Sequence, residues 1–223
     1  MYRTVIFDFD GTLCSSIATI IMAMQGTFAH FGRPVPTLSA ITRMAASAPD
    51  LTQSFYMLDP DLGPLDDLTL QEWSEFYRKT YRASDAQSSS LYPGIVELLT
   101  MLSQRGVELI IVSNKSIESI RRSLKQFDID TFFSEIYGDS VQHPPKPDPT
   151  VFERNILPSR PDHRLQDFLM VGDTETDFHF ARACGIDMAW VEYGFGQLNA
   201  DAIQQTRFQA NTPEMLMHQL EGL

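Results

Sequence analysis

The chain has 223 residues, 43% of them hydrophobic and 21% charged, which is ordinary for a globular protein and enough to bury a sizeable core. Seventeen Lys and Arg stand against 29 Asp and Glu, a formal charge of −12 that excludes general attraction to nucleic acid or to an anionic membrane. The two cysteines, Cys14 and Cys184, give no disulfide framework; with no signal-peptide pattern and no run near the roughly 20 apolar residues of a membrane span, the expected compartment is the cytoplasm.

Val5-Ile6-Phe7 is an unbroken β-branched and aromatic run, the pattern of a strand buried on both faces. Asp8 and Asp10 follow at once. Side chains alternate along extended chain, so the two carboxylates point the same way, and Gly11 lets the backbone turn just beyond them. Like charges held that close demand a cation or a retained proton. A hard ion such as Mg²⁺ takes carboxylate and carbonyl oxygens, and a protonated carboxyl beside an ionised one is a general acid beside a nucleophile.

Ser15 or Ser16 is placed to cap a helix carrying Ile17, Ile20, Ile21, Met24, Phe28 and Phe31 on one face, ended by Gly32 to Thr37. Further helices are expected from Leu38 to about Leu58 and from about Leu68 to Arg82, broken by a turn over 59–64. Trp73, Phe76, Tyr77 and Tyr81 form an apolar stripe read as local core. The polar run from Ser84 to Ser90 reads as a linker. From Ile95 onward helices and strands alternate: strands at Val107–Val112, near Phe132–Tyr137, at Phe168–Val171 and at Met188–Val191 are separated by helical segments. That alternation implies βαβ units. The fold class is therefore α/β, a Rossmann-like doubly wound parallel sheet formed by residues 1–14 with 88–223, carrying an inserted all-helical domain over 15–87.

Three predicted strands end in polar residues: Asp8 and Asp10, Ser113-Asn114, and Gly172-Asp173-Thr174-Glu175-Thr176-Asp177. Ligands of open α/β sheets bind beyond the carboxyl ends of the strands, so these groups face one crevice. Ser113 and Asn114 offer a hydroxyl and amides before a helix, where N–H groups favour an anion. Asp173 adds a third carboxylate and Asp177 lies one helical turn on. Prolines 144, 145, 147 and 149 stiffen the loop that presents Lys146.

These four segments, Asp8-Phe9-Asp10-Gly11-Thr12-Leu13, Ser113-Asn114, Lys146 in Lys-Pro-Asp-Pro, and Gly172 to Asp177, resemble the ordered motifs of the haloacid dehalogenase superfamily. The helical insertion resembles that superfamily's cap, and spacing, cap position and the segment Trp190 to Gly196 are most similar to its phosphoglycolate phosphatase-like branch. The resemblance implies a Mg²⁺-dependent phosphatase of small phosphorylated metabolites, 2-phosphoglycolate among them. Asp8 would be the nucleophile and Asp10 the acid and base. Asp8, the Asp10 carbonyl and Asp173 would hold the metal with Asp177 in support. Ser113, the Asn114 amide and Lys146 would hold the phosphoryl oxygens, and Thr12 is counted with the phosphate-binding residues and orders the first loop. It also sets Arg43, in Thr42 to Ser47, where relatives carry substrate-reading residues, and the cap is poor in basic groups, so Arg43 is expected to meet the substrate's acidic end.

The same motifs suit a phosphosugar mutase, whose product would be isomerised phosphosugar. A non-catalytic phosphometabolite-binding module is disfavoured because every catalytic position is filled. The acid at position 10 argues against a dehalogenase. A phosphonoacetaldehyde hydrolase needs a cap lysine, and Lys79 is the only lysine between residues 15 and 90. Cys14, His143 and His179 flank motifs and are expected to be bystanders. Monomer and homodimer both remain open.

Overall fold

The computed structural model describes residues 2–139 and 144–222, and of residues 86 and 87 the backbone alone. Strand β1 (Thr4–Phe7) leads through the acidic turn to a two-residue strand, β2 (Cys14–Ser15). Four helices follow: α1 (Ile17–His30), α2 (Leu38–Ala46), α3 (Leu51–Leu58) and α4 (Asp67–Ser88). The chain returns through β3 (Ser90–Leu91), antiparallel to β2. It then alternates α5 (Ile95–Gln104), β4 (Glu108–Ser116), α6 (Ile117–Gln126), β5 (Phe133–Asp139) and, past a π-helical turn at Phe152–Ile156, β6 (Phe168–Gly172). Helix α7 (Glu175–Cys184), β7 (Asp187–Val191), α8 (Ala200–Ile203), β8 (Phe208–Ala210) and α9 (Pro213–Glu221) complete the order.

Among the described residues the main sheet has six parallel strands in the order β5-β4-β1-β6-β7-β8. Alternate residues of each strand feed opposite faces, as the period of two requires. Val5, Phe7, Leu109, Ile111 and Val171 pack on one side with Leu98, Leu102 and Leu216, whereas Ile6, Ile110, Val112 and Met170 pack on the other with Phe152, Phe178 and Phe180. Truncating Phe7 in this centre would cost about 3–5 kcal/mol. Building outward from β1, the chain adds β4 and β5 on one side, then crosses to add β6, β7 and β8 on the other. The winding therefore reverses between β1 and β6, the place where such sheets open a crevice.

The inserted helices have their own core of Met24, Phe28, Ile41, Met44, Phe55 and Trp73, separate from the sheet cores. Three local expectations change. Helix α4 runs straight through the polar run at 84–88, because Asp85 is buried yet accepts from Ser89 Oγ at 2.6 Å and from Ser123 Oγ of α6 at 2.9 Å. A buried acid with two hydroxyl donors is satisfied inside a helix; composition alone reads it as solvated. The aromatic stripe divides, with Trp73 in the cap core, Tyr77 packed against that core while reaching the cleft, and Tyr81 on the cleft wall. Ser16 precedes α1 as expected but makes no side-chain cap, because its hydroxyl donates to Asp10 Oδ1 at 2.6 Å.

Candidate active site

Parallel register brings the polar strand ends together. Phe7 lies opposite Ile111 on β4 and Val171 on β6, so Asp8, the Ser113 end of β4 and the Asp173 turn leave the sheet along the same edge. The Asp8 amide extends the ladder by donating to Val171 O at 2.9 Å. Gly11 then turns with φ +93°, and a Cβ there would stand 2.3 Å from Asp173 Oδ2; only glycine permits the turn and the approach.

Asp8, Asp173 and Asp177 are all buried, and each offers a carboxylate oxygen within 4.8 Å of the others. Asp177 sits in the first turn of α7, where its Oδ2 accepts from the Thr174 amide at 3.0 Å and the Thr174 hydroxyl at 2.7 Å. This is a capping box, and it fixes the carboxylate's direction. Lys146, with a side chain 2% exposed, donates to Asp8 Oδ1 at 2.7 Å and to Asp177 Oδ1 at 2.6 Å. Burial opposes the lysine's charge, but Asp177 and Asp8 outweigh it and push its pKa up.

Asp173 has no cation of its own among the described residues. Its partners are neutral: the Thr12 hydroxyl at 3.0 Å, the Phe195 amide at 2.7 Å and the Gly196 amide at 3.2 Å. Burial pushes its carboxyl well above the usual range, and Asp177 and Asp8 push it further. Burial likewise pushes Asp8 up to about 6, with Lys146 pulling against it. Three buried carboxylates around one ammonium leave an excess of negative charge in low dielectric. The donor set is all oxygen, so the site suits a hard divalent cation, and the observation that carries this fit is the uncompensated burial of Asp173.

Asp10 lies at the mouth, where its Oδ1 accepts from Ser16 Oγ at 2.6 Å and Lys115 Nζ at 2.9 Å. The structure revises several expected roles. The Asn114 side chain is spent on the lysine loop: its Oδ1 accepts from the Lys146 amide at 2.8 Å, and its Nδ2 donates to Lys146 O at 3.0 Å and to Ala48 O of the cap at 3.2 Å. The Asn114 side chain therefore fixes Lys146 and ties cap to core, and it is the side chain alone that these bonds occupy. Thr12 is fully buried, pinning Asp173 through its hydroxyl while its carbonyl accepts from Tyr193 OH at 3.0 Å; it is likewise withdrawn from phosphate. Ser113 Oγ accepts only from the Lys115 amide, at 3.4 Å, so its hydrogen is uncommitted among the described residues.

Arg43 is exposed on α2, hydrogen-bonded to Ser39, and is not on the cleft wall. Helical spacing turns Met44 and Ala45 to the cleft, so the expected contact with an acidic substrate end has no support here. His179 is exposed on α7 against Phe178, outside the site, and His143 lies outside the described residues. Cys14 and Cys184 are free and buried, and burial pushes each thiol up to about 12, so both are inert at neutral pH.

Sequence reasoning missed Lys115. It follows Ser113-Asn114 directly, yet only the irregular register of β4 with β5 between Val112 and Ser116 and the docking of the cap show that it enters the cleft. The described helices include none long and apolar enough to cross a membrane.

Three buried aspartates and a lysine at the reversal point of a parallel sheet, under a helical insertion, are the arrangement that the four motifs resemble. The family model for haloacid dehalogenase-like hydrolases matches residues 5–191, and the chain belongs to that family.

Within it, the chain is similar to a phosphoglycolate phosphatase of Pseudomonas syringae pv. syringae, 28% identical over 195 residues that span 86% of this chain and 70% of the relative. It is 32% identical over 205 residues to the tyrosine-protein kinase PtkA of Mycobacterium tuberculosis, spanning 92% of this chain and 66% of that one. Among solved structures, a haloacid dehalogenase-like family hydrolase from Streptococcus pneumoniae superimposes with a TM-score of 0.81 at 28% identity, covering 98% of each chain. The chain is an enzyme of the hydrolase class, phosphoglycolate phosphatase-like in its relatives.

Proposed function

We propose that the chain hydrolyses small phosphomonoesters through an aspartyl phosphate at Asp8, with Mg²⁺ as the divalent ion. The observation that carries this reading is the 2.7 Å contact of Asp8 with Lys146 inside a buried cluster that also holds Asp173 and Asp177. Asp8 and Asp173 would supply side-chain oxygens for Mg²⁺ with Asp177 in support through Lys146, and the Asp10 carbonyl is the third protein donor implied by the family resemblance. Bound there, the ion would neutralise the carboxylates and the phosphoryl oxygens.

Asp8 is placed to attack phosphorus as an ionised carboxylate, for even with its pKa raised to about 6 it is mostly charged at neutral pH. The P–O bond to the leaving group breaks as the Asp8–P bond forms, and Asp10 gives its proton to the departing oxygen. Water then attacks the same phosphorus, Asp10 takes the water's proton, and the Asp8 carboxylate is released with free phosphate. Lys146 and the Ser113 hydroxyl stand on the strand edge where charge develops on the phosphoryl oxygens. The cap covers this edge, with Met44, Ala48 and Tyr81 facing the acids across the cleft, which limits access of bulk water.

A panel of phosphorylated metabolites assayed with Mg²⁺ for free phosphate tests the reading, with 2-phosphoglycolate the first substrate to try because it is the one named for the Pseudomonas relatives. Release of phosphate that disappears in Asp8→Asn supports it. Isomerised phosphosugar with little free phosphate would make the chain a mutase, and turnover that survives Asp8→Asn would remove the nucleophile. The free, buried state of both cysteines supports a reducing cytoplasm as its setting.

A further inference from the structure

Lys115 is a buried charge to which the phosphatase chemistry assigns no task. Its side chain is 8% exposed, with Nζ 2.9 Å from Asp10 Oδ1 and 2.6 Å from the Tyr81 hydroxyl. The ammonium also lies 4.6 Å from the ring centroids of both Phe9 and Tyr81. A surface lysine samples many rotamers; this one is held by two aromatic faces and two oxygens, each contact strengthened by desolvation.

The contacts on Asp10 are asymmetric. Ser16 Oγ and Lys115 Nζ both donate to Oδ1, at 2.6 and 2.9 Å. Among the described residues no donor reaches Oδ2, which is therefore the oxygen left to carry a proton to and from the reacting groups. Ser16 and Tyr81 come from the two ends of the inserted domain, at the start of α1 and late in α4, while Lys115 comes from the sheet. Both arms that fix Asp10 thus cross or begin at the boundary between cap and core.

We propose that Lys115 is a positioning residue that turns Asp10 so that Oδ2 faces the leaving group, and that its bond to Tyr81 makes this orientation depend on the docked cap. The proposal rests on the reading of Asp10 as proton donor given above. Protonation matters most for a leaving group that is a strong base. An alkoxide cannot depart without it, whereas p-nitrophenolate leaves almost unaided. Loss of Lys115 therefore falls unequally on the two kinds of ester, a signature that a merely structural role does not produce.

The test uses the full chain with Mg²⁺, measuring kcat and KM on an alkyl phosphomonoester and on p-nitrophenyl phosphate. In Lys115→Met, kcat on the alkyl ester is expected to fall about 30-fold while that on p-nitrophenyl phosphate falls less than about threefold, with little change in either KM. Tyr81→Phe keeps the ring and loses the hydroxyl, so it should show the same inequality in smaller measure, and Lys115→Arg should restore part of the alkyl rate. Equal losses on both esters in Lys115→Met and Tyr81→Phe overturn the proposal, as does a rise in KM with kcat retained, which would make Lys115 a substrate ligand. Should Lys115→Met fail to fold, Tyr81→Phe alone decides by the same inequality. If the unmodified chain hydrolyses neither ester, the phosphatase reading itself fails, a result distinct from all of these.

Discussion

Asp8 and Lys146 are 138 positions apart in the chain and 2.7 Å apart in the folded protein. The same ammonium reaches Asp177 at 2.6 Å, so one lysine spans the two carboxylates that flank the cleft floor. Lys146 thus has two duties, holding the fold against its own acids and completing the charge pattern for a phosphoryl group.

Replacing Lys146 with Met separates these duties. Removing one partner of a buried ion pair typically costs about 3–5 kcal/mol, and here two carboxylates lose their counter-charge together. The variant should lose about 100-fold or more in kcat/KM. Its urea midpoint should fall in the metal-free protein and recover in part when Mg²⁺ is added, because a divalent ion offsets the same carboxylates. Phosphate release and urea titrations with and without Mg²⁺ check both.

Asp173 gives the opposite sign. Burial, with Asp177 and Asp8, raises its folded pKa well above the unfolded value. Metal-free stability from this group is therefore present at low pH and lost as pH rises through the folded pKa. Asp173→Asn should leave the metal-free melting temperature at pH 7.5 equal or higher and flatten its decline with pH. In the unmodified protein Mg²⁺ at 100 times its Kd should add about 2.7 kcal/mol, and the variant should lose most of that gain. Calorimetry across pH, with and without Mg²⁺, measures this; a metal-free melting temperature well below that of the unmodified protein would count against it.

Gly11 and Gly194 allow Asp173 to be enclosed. A Cβ at Gly11 would lie 2.3 Å from Asp173 Oδ2, and one at Gly194 would lie 2.3 Å from Asp173 Cβ. Gly11→Ala also forces φ +93° on a residue with a side chain. Each alanine should destabilise by about 1–3 kcal/mol, and Gly11→Ala should also abolish the Mg²⁺-induced rise in melting temperature.

A second ion cluster lies away from the site. Arg160 Nη2 donates to Glu108 Oε1 at 2.6 Å and to Glu135 Oε1 at 3.0 Å, joining β4 and β5 to the loop before β6. Burial works to raise the Glu108 carboxyl, but the bonds from Arg160 and Ser134 outweigh it and hold it below its ordinary value. Its contribution is present above the unfolded carboxyl's pKa, about 4.3, and is lost as pH falls through the folded one. Because both glutamates are about a third exposed, Arg160→Met should cost only about 1–2 kcal/mol at pH 7, and the difference should shrink below about pH 4. Activity should be unchanged, so denaturation at pH 7 and pH 3.5 is the measurement.

The helical insertion, the alternation from α5 to β7 and the strand-end acids were legible from residue type and spacing, because a strand buried on both faces has no polar residue until it leaves the sheet; the two-residue β2 and β3, the break between α2 and α3 and the elements after β7 were not. Asp8, Asp173, Asp177 and Lys146 meet as expected. Roles that depend on where a side chain's hydrogen bonds go were not legible. The side chains of Asn114 and Thr12 have the chemistry to bind phosphate, yet their partners are Lys146 and Ala48 in one case and Asp173 in the other. Arg43 has the right charge on the wrong side of its helix, a matter of which face of α2 the cap core takes up. The last strand, β8, is three residues long and too short to leave a pattern.

Local sequence determined which residues carry charge and on which elements they ride, since periodicity and turn chemistry act over a few residues. Which of those charges are paired, and so whether Lys115 is a surface lysine or the group that holds Asp10, was decided only when the cap helix α4 came to lie against the end of β4. Contacts between segments so far apart in the chain follow from packing and desolvation in three dimensions.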